Sequence, residues 1–386
     1  MAKVNKILVI GASIAGPAVC YWLKKFGFSP TLIERNDTLS KGGYAIDVRG
    51  IAVDIIKKMG IYEKICDMRT QLETGYYVDA NGNILLKEQG EKFGFKQGEE
   101  VEIVRGDLVE ILMHSIKDIP CYFSQVIDQI EQYDGTVRVT FKNGRTENYD
   151  LIIGTDGVHS TTRGMAFAED EYDLIGLGSY LSVFSIPNYL NLNRSGMFFE
   201  LNQKSIHITS DKNVNTAFAA FTFRSSEKLN NIRDEKEQKS FLKRMFLNLG
   251  WESNNLLDLM DNNNNFYFDA IMQVKMKSWT KGRVVLVGDS AYCASPLSGQ
   301  GTSLALVGAY ILSGELKEAD GNYSTAFNQY NILLRPYIKA NQEFGAWVSE
   351  GFLSSAELSK DKVELRADNA LERLQTASNS IELPEY

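Results

Sequence analysis

The sequence predicts an α/β fold: a Rossmann-type nucleotide-binding domain, interrupted by a mostly antiparallel β domain and followed by a C-terminal helix. Three observations predict this. The first 34 residues read as strand, glycine turn, helix and strand. Two further apolar strands, far along the chain, each run into a glycine-containing loop. Between them lie long segments with the two-residue alternation of strands.

Lys6 to Ile10 is nearly all Ile, Leu and Val, as a buried strand requires. After the glycine turn, Val19, Trp22, Leu23 and Phe26 recur at helical spacing, and Gly27 ends the helix. Ser29 to Ile33 supplies the next strand. Leu151 to Ile153 leads into GTDGVHS, and Arg283 to Val287 leads into GDSAYCASPLSGQG, with an apolar helix over Thr302 to Leu316. In the middle, Asn215 to Arg224 and Phe266 to Met276 read as long strands, Ser226 to Leu249 as a charged helical stretch, and Asp261 to Asn265 as a loop. Val363, Ala367, Ala370, Leu371 and Leu374 give the C-terminal helix a thin apolar stripe. The expected organisation is therefore 1–170 and 275–330 for the two parts of the nucleotide domain, 171–274 for the inserted domain, and 331–386 for the C-terminal helices.

Composition narrows the function classes. A length of 386 residues exceeds one compact core, and 44% hydrophobic with 23% charged residues is an ordinary soluble composition. The net charge of −8 and the lack of a basic stripe argue against a nucleic-acid partner. Cys20, Cys66, Cys121 and Cys293 sit far apart, so a reducing cytoplasm is expected rather than a disulfide framework. His114, His159 and His207 lack metal-ligand spacing, so no metal site is expected. Lys3 and Lys6 before the uncharged run Ile7 to Leu23 resemble a secretory leader, but Gly11, Gly16 and Pro17 stand where a nucleotide-binding turn would use them. No other stretch is long and apolar enough to span a bilayer.

Three loops carry the chemistry. In GASIAG, Gly11 permits the tight turn, Gly16 permits close packing of helix on strand, and Ser13 and Ala15 keep the backbone open to a phosphate. Ser13 stands where the dinucleotide fingerprint has its middle glycine. Glu34, followed by Arg35, lies 18 residues after Gly16, where an acid would accept ribose hydroxyls. The second loop offers an acid and a glycine at a strand end, Asp156 and Gly157, and by itself is equally well a turn. In the third, Asp289 leaves a buried strand and can bond sugar-alcohol hydroxyls. Beyond Pro296, Gly299, Gln300 and Gly301 open the next helix, whose N–H groups suit developing negative charge.

These motifs, in this order and at these distances, resemble the class A flavoprotein monooxygenases, the para-hydroxybenzoate hydroxylase group. The resemblance implies that the first motif binds the ADP part of FAD. Asp156, Gly157 and Arg163 would serve FAD and NAD(P)H, and Gly288, Asp289 and Pro296 would hold the ribityl chain. Arg105, in VRGDLVEIL, and Asp47, in GGYAIDVRG, match flavin-contacting positions, the latter on a loop. Ser290 and Tyr292 depart from the family's usual alanine and histidine. Within this group the whole chain is most similar to the tetracycline destructases, through KILVIG, AGPAV, YWLKKFGFSP, IPCY, FSIPNYL, SWTKGR and LPEY.

The function so implied is an FAD-dependent monooxygenase that inactivates tetracyclines, giving antibiotic resistance. NAD(P)H, with NADPH favoured, would reduce the flavin, and O₂ would add to form a C4a-hydroperoxide that delivers one oxygen atom. Lys41 and Arg163 are candidates to meet a 2′-phosphate, and the sequence does not decide between NADPH and NADH. No side chain is expected to act as a catalytic residue, because the flavin carries the chemistry. Substrate contacts are expected from one face of a strand, Phe218, Ala220, Thr222 and Arg224, and from a neighbouring strand, Ser205 and His207. Equal alternatives are simple core packing for Phe218 and a solvated charge for Arg224, and His207 is more often an ordinary strand residue than a catalytic base. The C-terminal helix would gate the substrate entrance or merely pack on the nucleotide domain. The expected state is a monomer. The alternatives are a hydroxylase of another phenol or polyketide, a flavoprotein reductase, or a flavin-loaded protein that sequesters a drug.

Overall fold

The structure is a computed structural model that describes residues 4–39, 43–89, 97–210, 214–227, 229, 233–263, 265–351 and 360–386, with the backbone alone for 360–367. The chain opens with β1 (Lys6–Ile10), α1 (Ala15–Lys25), β2 (Ser29–Ile33), β3 (Ala45–Val48), α2 (Ala52–Lys58), α3 (Tyr62–Asp67), β4 (Thr74–Val78) and β5 (Ile84–Gln89). It continues with β6 (Val101–Val104), α4 (Arg105–Ser115), β7 (Cys121–Tyr122), β8 (Ile127–Tyr133), β9 (Thr136–Phe141), β10 (Thr146–Tyr149), β11 (Leu151–Gly154) and α5 (Thr161–Ala166). The middle is β12 (Tyr172–Pro187), β13 (Ser195–Leu201), β14 (Lys204–Ser210), β15 (Thr216–Arg224), α6 (Glu235–Phe246), α7 (Ser253–Asp261) and β16 (Tyr267–Met276). The chain closes with β17 (Thr280–Lys281), β18 (Val284–Leu286), α8 (Asp289–Tyr292), α9 (Gly301–Glu318), α10 (Tyr323–Gly351) and α11 (Lys360–Ser378).

Two sheets organise these elements. Among the described residues the first has six strands in the order β17-β18-β11-β1-β2-β7. Its central four run parallel, and Ile10, Gly154 and Leu286 stand level at their carboxyl ends. These strands are apolar throughout because helices cover one face and the three-stranded sheet β10-β9-β8 covers the other. The run Ile7 to Leu23 thus forms β1 and most of α1, inside this core. The apolar α9, buried along nearly its whole length, packs against α1, α2 and α10.

The second sheet has seven strands in the order β16-β12-β15-β14-β13-β4-β5. It draws β4 and β5 from the first 170 residues, so it is not built from 171–274 alone. Sequence gave no sign of this, because β4 joins β13 by a parallel pairing across more than a hundred residues. One face bears Val78, Phe199, Ile206, Phe221, Ser182 and Phe268, aligned across six strands. Helices α6 and α7 cover that face with Phe241, Leu242, Phe246, Leu256, Leu257 and Met260. Of the charged stretch expected to be helical, Glu235 to Phe246 is helix. Asp234 caps it by accepting from the backbone N–H groups of Lys236 and Glu237.

The C-terminus is anchored at several points. Asn341 Nδ2 donates to Ala377 O, tying α10 to α11. Beyond α11, Tyr386 donates to Glu315 and packs its ring where a Cβ on Gly314 would stand 2.1 Å from it. Tyr310 donates to Pro384 O, and Lys58 pairs with Glu385. The segment that ends the chain is therefore a strap across α9.

Phe223 lies fully buried against Tyr180, Phe241 and Phe246, with ring centroids 5.3–5.5 Å away. Its replacement by Ala should cost about 3–5 kcal/mol in urea unfolding. A loss under about 1 kcal/mol would mean that this aromatic cluster does not anchor the second core.

Candidate functional site

The three loops meet because their strands are neighbours. Gly11 follows β1, Thr155 follows β11 and Val287 follows β18. Hydrogen bonds stitch them together: Thr155 Oγ1 donates to Ile10 O and Gly11 O, and Val287 N and Ser290 Oγ both donate to Gly154 O. Space between the loops is short. A Cβ on Gly11, at φ +109°, would stand 2.7 Å from Thr155 O, and one on Gly16 would stand 1.9 Å from Gly11 O. One on Gly288, at φ +72°, would stand 3.3 Å from the Ala15 Cβ. Lack of room therefore requires glycine at the first two positions, and at Gly11 conformation requires it as well.

The polar residues around this junction divide into two groups. Some face outward from the loops into open space. Glu34 is half-buried, and its carboxylate accepts from Ala12 N at 2.8 Å and Asn36 N at 2.9 Å. Arg35 beside it is exposed. Arg105, the first residue of α4, donates to Ser13 Oγ at 2.8 Å, so a residue 92 positions away touches the first motif. Pro296 and Gly299 are exposed, and Gly299, at φ +62°, has open space on its Cβ side. Neither α1 nor α9 has a side-chain cap at its N-terminus, so no capping side chain takes up their first N–H groups.

Others are held by the protein itself. Asp156 accepts from Ser160 Oγ, Thr161 Oγ1, Thr162 N and Thr162 Oγ1, so it braces the first turn of α5, which Ser160 caps. Gly157, at φ +81°, makes the turn that allows this. Arg163 is only 2% exposed; it donates to Ser290 O and Val158 O and lies over the Tyr172 ring. It therefore has no face left for a 2′-phosphate, because a buried guanidinium needs carbonyl acceptors on its own side. Lys41, the other residue expected there, lies outside the described residues. Asp47 lies in strand β3, not in a loop, and pairs with Arg49 at 3.0 Å. Gln300 is buried, with neither side-chain amide atom hydrogen-bonded to the protein, and its backbone begins α9. The two departures from the family pattern have structural uses. Ser290 ties α8 to the end of β11, and Tyr292 lies in the core against Trp279, with Tyr330 donating to its hydroxyl.

Asp289 is altered by its surroundings. Its surface is open to solvent, yet protein crowds it on every side. Both are true of a carboxylate on the floor of a narrow cleft. Desolvation pushes its pKa up, while the Cys293 thiol and the Arg105 guanidinium act in the opposite sense. Tyr44 and Tyr267 share this character, with ring centroids 5.9 Å apart. Burial raises both phenols, and Asp289 and Asp269 raise them further. Tyr267 is nonetheless 39% exposed. The cleft thus runs from the glycine junction to the second sheet.

The open face of that sheet supplies the other wall. Directly paired residues point to one side, so Tyr77, Phe198, His207, Ala220, Val183 and Tyr267 form one row. Tyr77 stacks on Phe198 at 5.3 Å, and Phe198 meets His207 edge-on at 4.8 Å. Burial lowers the His207 pKa to about 4, so its imidazole is neutral. Phe218 lies one row along, half-buried beside Thr209. Ser205 and Thr222 share this face but are nearly inaccessible. Arg224 donates to Ser349 O and so tethers the end of α10, which is a different task from the expected substrate contact. Sequence reasoning missed Tyr44, Tyr77, Phe198, Tyr267, His159 and Asp269. The alternation in β16 did place Tyr267 and Asp269 on one face, but nothing local said what that face met.

Helix α11 packs Leu374 and Ala377 on Phe344, and its last carbonyl, Ser378 O, accepts from Ile51 N. A Cβ on Gly50 would stand 2.5 Å from that oxygen. The helix end therefore abuts the segment that follows Asp47. Of its expected stripe, the Val363 and Ala367 side chains lie outside the described residues. A separate groove of about 940 Å³ opens between the β17 hairpin and α10, lined by residues such as Lys277, Tyr323 and Arg335. It contains no residue of the three glycine-bearing loops. No described helix is long and apolar enough to cross a membrane.

Comparison with known proteins accords with this geometry. Residues 5–321 match the family model of the FAD binding domain. A flavin-dependent monooxygenase from an unknown prokaryotic organism is 61% identical over 386 residues, covering all of both chains. Another, from Legionella longbeachae serogroup 1 (strain NSW150), is 58% identical over all of this chain and 99% of its own. The crystal structure of the tetracycline destructase Tet(55) superposes with a TM-score of 0.94, at 59% identity and full coverage of both chains. With its glycine cradle, its cleft-floor carboxylate and these relatives, the chain belongs to the flavin-dependent monooxygenases and is an FAD-dependent enzyme.

Proposed function

We propose that this monooxygenase oxygenates tetracyclines and so inactivates them, using O₂ and NAD(P)H, with NADPH favoured. The observation that carries this reading is the row from Tyr77 to Tyr267. It is aromatic at both ends, with the imidazole of His207 and the small apolar Ala220 and Val183 between, which suits a flat, oxygen-bearing polyketide. The likeness to Tet(55) supports the same substrate class.

FAD fits the cleft, because the glycine junction leaves no side chain between backbone and phosphate. In this reading Gly11, Ser13, Ala15, Gly16 and the start of α1 hold the pyrophosphate. Glu34 and Arg35 take the adenosine end. Arg105 and Asp289 flank the ribityl chain, with Gly288 and Pro296 shaping its path. The backbone of Gly299, Gln300 and Gly301 faces the electron-rich edge of the ring. Asp47, Asp156, Gly157 and Arg163 act behind these, by fixing β3 and α5. When bound, the flavin supplies the redox chemistry, taking hydride from the nicotinamide and activating O₂. The protein then has to orient the substrate and keep water out. Phe198, Phe218 and Ala220 offer the substrate an apolar surface. Neutral His207 can accept a hydrogen bond from a phenol or enol without adding charge. Residues 171–274, with β4 and β5, serve as the substrate wall, and residues 1–170 and 275–330 as the cofactor body. Within 331–386, α11 gates the cleft from beside Gly50. The protein acts as a monomer in the cytoplasm.

The proposal is tested by mixing FAD-loaded protein, NADPH and tetracycline in air. A product heavier by one oxygen atom, absent without O₂, is expected by mass spectrometry. Unchanged tetracycline with consumption of another phenolic substrate would move the assignment to that substrate.

Asp289→Asn separates binding from stability. The raised carboxyl pKa means that the folded state loses stability as pH rises through it. Cofactor-free Asp289→Asn should therefore melt above the parent at neutral pH, and the gap should close in acid. FAD affinity should fall, as read by flavin fluorescence titration. Equal melting temperatures at neutral pH would contradict a desolvated carboxylate on the cleft floor.

A further inference from the structure

We infer that His159 and Asp269 form a positioning pair that fixes the second-motif loop against the substrate sheet and so limits water access to the cleft. His159 Nε2 stands 3.0 Å and 2.9 Å from the two oxygens of Asp269. The two residues are 110 positions apart and belong to different bodies. His159 sits in the loop that follows β11, between Gly157 and the Ser160 cap of α5. Asp269 sits on β16, the edge strand of the seven-stranded sheet.

The pair is unlike the surface ion pairs elsewhere in the molecule. Lys57–Glu99, Lys243–Asp261 and Arg244–Glu227 join well-exposed side chains. Such pairs contribute little. Here the carboxylate is 12% exposed and the imidazole 32%, so the contact is partly shielded from water. One Asp269 oxygen also accepts from Ala270 N, which fixes the carboxylate on its strand.

What the pair controls follows from its neighbours. Asp269 shares a strand face with Tyr267, two residues away. Its charge acts on Tyr44, on Tyr267 and on Cys293, which lies one turn beyond Asp289. These groups line the cofactor end of the cleft. On the other side, the His159 loop is continuous with Asp156 and with Arg163, which grips α8 through Ser290 O. Loss of the contact would let β16 and the motif loop part, with Tyr267 moving relative to Tyr44. In an oxygenase, water at that junction lets one NADPH and one proton reduce O₂ to hydrogen peroxide, with the substrate left unoxidised. His159 and Asp269 act through Tyr267 and the loop, so they are positioning residues. The inference rests on the proposed substrate only for its product readout.

The test uses the FAD-loaded full chain with His159→Ala, Asp269→Ala, the double variant, and His159→Gln, whose amide still donates to Asp269. Hydrogen exchange should rise at 157–160 and at 267–270 together in either single variant, while FAD affinity stays within about twofold. Substrate-free, NADPH-dependent peroxide production should rise severalfold. Oxygenated tetracycline per NADPH should fall on the order of tenfold. The double variant should be no worse than either single one, and His159→Gln should retain most of the parent behaviour. Exchange that rises only at the mutated element, or parental peroxide rates in both single variants, would overturn the pairing. If the parent enzyme makes no product from tetracycline, exchange and substrate-free peroxide still decide the pair, and only the substrate assignment falls.

Discussion

A Cβ on Gly16 would stand 1.9 Å from the Gly11 carbonyl oxygen, and that lack of room sets the arrangement of the cofactor body. Helix α1 can start against β1 only because no side chain intervenes. A similar lack of room recurs where Gly11 meets Thr155 O, and a milder one where Gly288 meets Ala15. Three loops from three parallel strands thereby reach one point with their backbones exposed. Backbone N–H groups and helix starts, with Arg105 held beside Ser13, are what this junction offers an anionic dinucleotide. That is consistent with a chain of net charge −8 that binds a phosphate-bearing cofactor.

Charged side chains near the junction are arranged around this backbone site. Asp156 braces α5, Arg163 binds carbonyls, and Arg49 bridges Asp47 and Glu100. Each has a protein partner, and Arg163 and Arg49 are buried, where a charge requires one. Asp289 is the contrast, because its surface is open while its surroundings are crowded. A carboxylate held that way costs stability in the absence of a ligand that can donate hydrogen bonds to it. The cleft floor therefore shows the conflict between stability and function that binding sites often carry.

The second sheet divides labour between its faces. One face is a close-packed aromatic core under α6 and α7. The other is left open as a row of rings and one neutral imidazole. Because paired residues across strands share a face, a single register fixes both the core and the wall. A slip by one residue in β14 would bury His207 and expose Ile206.

Local pattern in the sequence determined the elements that depend on short-range physics. The glycine turn, the strand–loop junctions at Gly154 and Gly288, the apolar α9 and the alternation of β15 and β16 were all legible. Steric limits at glycine and the periods of helix and strand act within a few residues. Tertiary structure alone decided which strands became neighbours. The recruitment of β4 and β5, the use of Arg163 and Arg224 as internal ties, the row from Tyr77 to Tyr267, and the meeting of His159 with Asp269 all join residues far apart in the chain. Their partners are chosen by register and by the docking of one core on another. Those choices are sums over many weak contacts, and no local stretch of sequence contains them.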